Sequence, residues 1–458
     1  MEQNLILNTD SYKASHFLQY PPNTKRVFSY IESRGGEFTS TLFFGLQAFI
    51  KEYLLTPITQ ENINEAKHFF REHGEPFNEE GWQYILEAHK GFLPLVIRAV
   101  PEGTVVPYGN ILVSVENTDE KLAWLTSYIE PPLLRAIWYP TTVATTSYSI
   151  KQLISRHLRR SGTPETIDFK LHDFGARGVS SFESSMLGGM AHLLNFKGTD
   201  NVAGVMGARK LYSEDMAGFS VPAAEHSSIT SWGRDNEVKA YRNMLDQFGG
   251  PGKIVAVVSD SYDLYKACEM WGTELKTQII DSGTLLVIRP DSGDPTQVVL
   301  RTIKTLEKHF GTTRNEKGYK VLNHVRVIQG DGINEKSISS ILEAMSIHGY
   351  SADNVSFGMG GALLQHMNRD TLKFAMKASA ALIGDEWIDV YKDPVTDSGK
   401  RSKRGKVQLW KAGDVFETSV NEPKQWADYP WKPVMRTVFL NGQLVVDDLF
   451  SAVKGRVK

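Results

Sequence analysis

KIVAVVSDSYD (253–263), TLLVIRPDSGDP (284–295), VRVIQGDG (325–332) and NVSFGMGGA (354–362) share one design. Each is an apolar, β-branched run that stops in a cluster of Asp, Ser and Gly. Runs without polar alternation suit strands buried on both faces, as in parallel sheets. The segments PTQVVLRTIKTLEKHF (295–310) and EKSISSILEAMSI (335–347) are amphipathic and of helical length. Strand–helix alternation of this kind predicts βαβ units. In such folds the strand C-termini open onto one face, and ligands bind there. Asp260, Asp263, Arg289, Asp291, Gly330, Asp331, Gly360 and Gly361 are therefore expected to line one bowl. Acid, base and bare backbone N–H groups together suit a phosphorylated, hydroxylated substrate.

Working outward, the 458 residues can bury a large core and fill two domains. Hydrophobic residues make up 41% and charged residues 23%, so the chain is globular. Fifty-one basic residues against 53 acidic ones leave −2, which demands neither nucleic acid nor an anionic membrane. The single cysteine, Cys268, lies in a helical pattern and reads as a buried thiol. MEQNLILNTDSYK has no basic n-region or apolar h-region, so no signal peptide is expected. No apolar run reaches the ~20 residues of a membrane span. A cytoplasmic setting is the default expectation.

The first ~140 residues lack βαβ regularity. RVFSYIESR (26–34), LVIRAVPEG and GNILVSVEN read as strands; LFFGLQAFIKEYLL, ENINEAKHFFREHG and NEEGWQYILEAHKG have helical apolar faces. LAWLTSYIEPPLLRAIW and TTSYSIKQLISRHLRR read as two further helices. The tail returns to strands, WIDVYKDP, KVQLWKAGD and VMRTVFLNGQLVV, with Asn441-Gly442 as a hairpin signal. Residues 1–140 with 386–458 are thus expected to build a mixed α+β domain, and 141–385 a TIM-like barrel.

GxxxxGK(S/T) and a strand-borne GxGxxG are absent, against a P-loop or a Rossmann site. HExxH, paired CxxC and GxSxG are absent as well. FKLHDFGARG (169–178) places Phe174, Gly175 and Arg177 at a strand end, where an aromatic can stack on a flat ring and a guanidinium can bind an oxyanion. The alternative is a turn with a core Phe. GFSVPAAEHSSITSWG (218–233) reads as an irregular loop carrying His226, a functional or a structural imidazole. Asp291 in RPDSGDP suits ribose hydroxyls, magnesium or a helix N-cap. FGMGG (357–361) offers amides to a terminal phosphate, or makes a tight turn. GKRSKRGK (399–406) is either a solvated loop or a polyphosphate grip.

Longer motifs then narrow the field: TDSYKASHFLQYPPNT (9–24), WYPTTVAT (138–145), KLHDFGARGVSS (170–181), NFKGTDNVAG (195–204), SVPAAEHSSITSWG (220–233), VVSDSYDLY (257–265), IRPDSGDP (288–295), VIQGDG (327–332) and YKDPVTDSGKRSKRGK (391–406). Through these the chain resembles the nicotinamide phosphoribosyltransferases, a family of type II phosphoribosyltransferases, over nearly its whole length. The resemblance implies transfer of phosphoribosyl from 5-phosphoribosyl 1-pyrophosphate (PRPP) to nicotinamide, in NAD salvage. It implies Mg2+ on the diphosphate, ATP as an activating co-substrate through a phosphohistidine at His226, and a head-to-tail homodimer. Phe174 and Tyr12 would flank the pyridine ring, Tyr12 from the second subunit, with Asp200 on the carboxamide. Arg289, Ser220 and Ser259 complete the expected nicotinamide site. Asp291, Gly330 and Asp331 match ribose contacts. Gly360, Gly361, Arg369 and Lys377 match the 5′-phosphate site. Arg34, Arg177, Lys392 and Lys400, with Arg369, match the diphosphate set. His226, Asp291 and Asp263 are the expected catalytic group, Asp263 or Glu225 orienting the imidazole.

Two positions depart from the family's pattern: Ala375 and Met359 stand where vertebrate-type members carry Ser. One hydroxyl near the 5′-phosphate is lost, leaving more to Arg369 and Lys377. The competing readings are a nicotinate phosphoribosyltransferase, a metal-dependent barrel hydrolase or aldolase using His172, Asp173, His226 and Asp291, a non-catalytic scaffold, and a phosphoribosyl hydrolase.

Overall fold

The computed structural model describes residues 4–396, 401–424 and 429–457. The chain forms two units, residues 1–145 with 209–214 and 367–458, and residues 146–208 with 215–366. The junction near 385 expected from sequence is corrected. Strand Phe374–Ile383 pairs antiparallel with Thr24–Ser33 along most of its length, so residues 367–385 go with the termini.

The first unit is built on a seven-stranded sheet in the order Glu386–Asp389, Phe374–Ile383, Thr24–Ser33, Ile111–Asn117, Leu95–Ala99, Arg436–Leu440, Gln443–Leu444. Every neighbouring pair is antiparallel. Asn441 and Gly442 make the last turn with φ of 47° and 85°, the type I′ pattern their sequence predicts. The two helices expected on either side of Pro140 are one, Glu130–Ser161. Proline at 140 leaves the Ala136 carbonyl without its usual N–H. That carbonyl lies against Gly45, where a Cβ would come within 2.8 Å of it.

The second unit carries a six-stranded parallel sheet. Its strands, in chain order, are β1 (Leu171–Asp173), β2 (Gly198–Thr199), β3 (Ile254–Val258), β4 (Leu285–Arg289), β5 (Val325–Gln329) and β6 (Val355–Met359). Their spatial order is β2-β1-β6-β5-β4-β3, so neighbours in sequence are neighbours in space except β2 and β3, and β1 and β6 also pair. The outer edges, β2 and β3, are bridged by the extended segment 219–223. Phe219 pairs parallel with Gly198, and Ala223 with Ala256. The result is a barrel-like curl with its strand C-termini on one rim. Val255, Val257, Leu286, Ile288, Val325, Val327 and Phe357 are fully buried, which is why these strands read as unbroken apolar runs. The helices Pro295–Phe310 and Glu335–Ile347 occupy the segments anticipated for them. Asp294 caps the first by accepting from Gln297 N, and Asn334 caps the second from Ser337 N. No helix among the described residues is long and apolar enough to cross a membrane.

Candidate active site

The rim of the curl holds a cavity of about 610 Å³ lined by Asp173, Phe174, Arg177, Asp200, Arg289, Asp291, Gly330, Asp331, Gly360, Gly361 and His366 among others. Each of the strands β1, β2, β4, β5 and β6 delivers residues to it from its C-terminal end or the turn that follows. Phe174 is fixed by its N–H, which donates to Met359 O at 3.0 Å. Its ring lies against Gly358 and Gly330, at the ends of β6 and β5. A Cβ on Gly358 would sit 1.9 Å from the ring, and one on Gly330 3.6 Å from it. Gly358, inside FGMGG but not among the glycines assigned a role there, is thus required by the aromatic platform rather than by a turn.

At the end of β4, Arg289 donates from Nη2 to Asp291 Oδ2 at 3.3 Å. Its Nε is buried without a partner among the described residues, as is Gln329 Oε1 at the end of β5. Such orphaned groups beside a cavity mark positions where a ligand completes the hydrogen bonding. Asp200 is exposed, and Ser220 Oγ donates to its Oδ1 at 2.5 Å, which orients the carboxylate. Below it Asp173 is completely buried, and burial, with repulsion from Asp200 adding, pushes its carboxyl up to about 6.

His226 opens a one-turn helix, His226–Thr230, rather than lying in an irregular loop. Its Nε2 is 2.9 Å from Asp260 Oδ1, and its Nδ1 is 3.9 Å from Asp291 Oδ2. Asp260 Oδ2 accepts from Asp291 N at 2.9 Å and Ser292 Oγ at 2.6 Å. Burial alone would raise the Asp260 carboxyl, but the hydrogen bonds from Ser292, His226 and Asp291 N hold it below the usual range. The orienting role expected of Asp263 or Glu225 therefore falls to Asp260. Asp263 caps the helix Leu264–Gly272 through Tyr265 N and Lys266 N, and Glu225 takes part in a capping box with Ser228. Ser259 is also corrected. It is fully buried, its Oγ donating to Val257 O and accepting from Trp271 Nε1, so it presents nothing to a ligand. Cys268 is buried, with burial pushing its thiol up to about 12, an inert packing residue.

The remaining candidates belong to the first unit. Tyr12 is 52% exposed. Arg34 donates from Nε to Glu32 Oε1 at 2.9 Å, while its Nη2 is buried without a partner among the described residues. The Lys377 ammonium is held below the usual lysine range by burial and by Arg34, Lys392 and Lys13, with Glu130 opposing. Burial is the largest cause, and the neighbouring cations add to it. Arg369 is exposed at the start of a 3₁₀ turn, Arg369–Thr371. Lys400 lies outside the described residues. The metal-hydrolase alternative loses its donors: His172 Nε2 bonds to Phe169 O, and both Asp173 oxygens accept from N–H groups.

Fold and rim together define a type II phosphoribosyltransferase. The profile of the nicotinate phosphoribosyltransferase (NAPRTase) family matches residues 169–443, and that of the nicotinamide phosphoribosyltransferase N-terminal domain matches residues 4–97. The chain is 59% identical over 409 residues to the nicotinamide phosphoribosyltransferase of Xanthomonas campestris pv. campestris (strain 8004), covering 89% of this chain and 87% of that one. It is 31% identical to the nicotinamide phosphoribosyltransferase of Acinetobacter baylyi, over 98% of this chain and 96% of the relative. Among solved structures, nicotinate-nucleotide pyrophosphorylase from Pyrococcus furiosus superimposes with a TM-score of 0.65 at 16% identity, over 99% of this chain and 95% of that one. Human nicotinic acid phosphoribosyltransferase gives 0.62, also at 16% identity, over 98% and 92%. The chain belongs to the nicotinate phosphoribosyltransferase family, and it is a phosphoribosyltransferase that serves NAD biosynthesis.

Proposed function

We propose that this enzyme transfers phosphoribosyl from PRPP to nicotinamide, giving nicotinamide mononucleotide and pyrophosphate, with ATP hydrolysed through a phosphohistidine at His226. The observation that carries the choice of acceptor is Asp200 lining the same cavity as Phe174. A ring stacked on Phe174 presents its substituent to a carboxylate. That carboxylate accepts from a carboxamide NH2 and repels a second carboxylate. The relative at 59% identity carries the same acceptor in its name.

The neutral ring nitrogen is the nucleophile and needs no general base. It bonds to the anomeric carbon as the bond from that carbon to the diphosphate oxygen breaks, and pyrophosphate leaves with the electron pair. Positive charge develops on the ribose, where Asp291 and Asp331 stabilise it. Within the second unit the Gly360–Gly361 amides and Arg177 are assigned to the phosphate groups; within the first, Arg369, Lys377, Arg34 and Lys392 are proposed to bind anions. The described residues contain no group of three or more His, Cys, Asp or Glu placed to hold a metal ion. Mg2+ would be held mainly by diphosphate oxygens, with one or two carboxylates such as Asp291. When bound, it would neutralise charge on the leaving group.

At His226, Asp260 occupies Nε2, so Nδ1 is the nitrogen left to attack the γ-phosphate of ATP. Tyr12 is assigned to the opposite face of the ring in a partner subunit, within a homodimer. Its exposure in the first unit leaves it free for that contact. The reaction is placed in the cytoplasm.

Pyrophosphate release with nicotinamide and with nicotinate, each with and without ATP, tests the acceptor and the coupling together. Nicotinamide is expected to be preferred, and ATP to stimulate. Preference for nicotinate would overturn the role of Asp200. His226→Ala is expected to abolish both ATP hydrolysis and acid-labile phosphate on the enzyme while the fold survives. Undiminished ATP hydrolysis would leave His226 a positioning role only.

A further inference from the structure

Beneath the cavity lies a buried polar network that the proposed chemistry does not use. Asp173, at the end of β1, accepts from Gly175 N through Oδ1 at 2.7 Å and from Asn201 Nδ2 through Oδ2 at 2.9 Å. Its backbone carbonyl accepts from Asp200 N at 3.0 Å. Gly175 follows Phe174, and Asn201 follows Asp200. One carboxylate thus ties together the turn that carries the aromatic and the turn that carries the exposed acid.

Asn201 is itself locked. Its Nδ2 also donates to Ser185 O at 2.9 Å, its Oδ1 accepts from Ser185 Oγ at 3.0 Å, and its N–H donates to Thr199 Oγ1 at 3.0 Å. Ser185 lies on helix Phe182–Leu193, which packs against helix Val202–Tyr212 through a glycine pair. A Cβ on Gly189 would sit 2.7 Å from Gly204 Cα and equally close to Asn201 Nδ2. The helices are brought close enough for the amide to reach both Ser185 and Asp173. Asp173 and Asn201 are 0% and 1% exposed, so neither meets a ligand directly.

We propose that the Asp173–Asn201 pair sets acceptor selectivity: it holds Phe174 and Asp200 in fixed register, so that a ring stacked on one presents its substituent squarely to the other. This inference rests on the base-site reading above. A carboxylate repels an anionic substituent over several ångströms, but it rewards a carboxamide only at hydrogen-bond geometry. Loosening the register therefore costs the amide more than it costs the acid. Selectivity falls even though Asp200 keeps its charge.

The test is the ratio of kcat/KM for nicotinamide to that for nicotinate, with PRPP saturating, in Asn201→Ala and Asp173→Asn. In Asp173→Asn an NH2 faces one of two fixed N–H donors, so the tie breaks at nearly constant volume. Each variant is expected to lose about tenfold in the ratio, mostly through a higher KM for nicotinamide, the scale of one weakened charged hydrogen bond. A purely structural role would depress both acceptors alike. A ratio within twofold of wild type in both folded variants overturns the proposal. If either fails to fold, Ser185→Ala frees one side of the Asn201 amide at smaller cost. It is expected to lower the ratio about threefold, and an unchanged ratio there also overturns the proposal. Wild-type enzyme that prefers nicotinate would remove the base-site reading itself, and this inference with it, an outcome distinct from unchanged ratios in the variants.

Discussion

Both units of this molecule bury carboxylates, and two of these, Glu102 and Asp173, are handled differently. In the first unit Glu102 accepts from Gly45 N at 3.0 Å and Gln47 N at 2.9 Å through Oε1, and from Tyr212 OH at 2.8 Å through Oε2. Around it are Phe43, Leu46, Ile50, Val100 and Val438, apolar on most sides. In the second unit Asp173 accepts from two N–H groups, one on each oxygen, and lies beneath a cavity whose lining includes Arg289, with its orphaned Nε. Burial raises both carboxyls above their ordinary values, so a raised pKa alone does not separate them. The separation lies in the surroundings. Arg436 beside Glu102 has an orphaned Nε too, but the space there is only about 20 Å³, whereas Asp173 supports residues that face a cavity of about 610 Å³. Asp200, exposed and next to the Asp173 carbonyl through its N–H, completes a series from a structural carboxylate to the one proposed to meet the acceptor.

The largest expected effect is at the structural end. Glu102→Ala strands the Gly45 and Gln47 amides and the Tyr212 hydroxyl. At roughly 1–3 kcal/mol for each of the three buried donors left without a partner, unfolding free energy should fall by roughly 3–9 kcal/mol. Glu102→Gln keeps an oxygen for the two amides, and the Tyr212 hydroxyl can turn to accept instead of donate. Its cost should be about 1 kcal/mol or less. Urea unfolding of both variants measures this. If Glu102→Gln proves as damaging as Glu102→Ala, the charge itself matters there, and the contrast with Asp173 collapses.

An intermediate effect concerns pH. Asp173 binds its proton more tightly folded than unfolded, with the folded value pushed up to about 6 against an ordinary 3.8. The stability it contributes is full below the ordinary carboxylate range and is lost as pH rises through about 6. The shift corresponds to about 3 kcal/mol at most. Asp173→Asn lacks this slope. Wild type should therefore lose stability relative to the variant between about pH 4 and pH 7, most steeply between the ordinary and the folded values. A flat difference would mean that the carboxyl titrates normally. Fixing both N–H donors needs the ionised form, so at Asp173 stability and function pull in opposite directions.

This contrast also explains what the sequence could reveal. The helices at 295–310 and 335–347 were legible because periodicity, an Asp or Asn cap and a following strand all agree at one place. The rim residues were legible because they sit at strand ends, where position alone assigns a face. The choice between Asp260 and Asp263 was not, because only Ser261 and Tyr262 separate them and either could face His226. The N-cap position of Asp263 ahead of LYKACEMW was the available clue. The long helix through Pro140 escaped because its tolerance depends on Gly45, 95 positions away in sequence by the difference of the two numbers. The tie between Asp173 and Asn201 escaped for the same reason: it spans 28 positions and depends on the contact between Gly189 and Gly204.

The smallest expected effect is at the functional end, and it should appear in selectivity alone. Asp200 is exposed, and its one side-chain partner is Ser220 Oγ at 2.5 Å, itself exposed. Asp200→Asn should therefore change stability by no more than about 0.5 kcal/mol. The variant keeps an oxygen to accept from Ser220 or from a carboxamide, but removes the charge that repels nicotinate. Discrimination between the two acceptors should fall by roughly 1–3 kcal/mol, the scale of one charged hydrogen bond. The gain should come as faster nicotinate turnover, whereas loosening Asn201 should come as weaker nicotinamide binding. Steady-state kinetics on both acceptors separates the two signatures. If Asp200→Asn shifts nicotinamide KM alone and leaves nicotinate untouched, its charge is not what excludes the acid, and the exposed end of the series would need another selector.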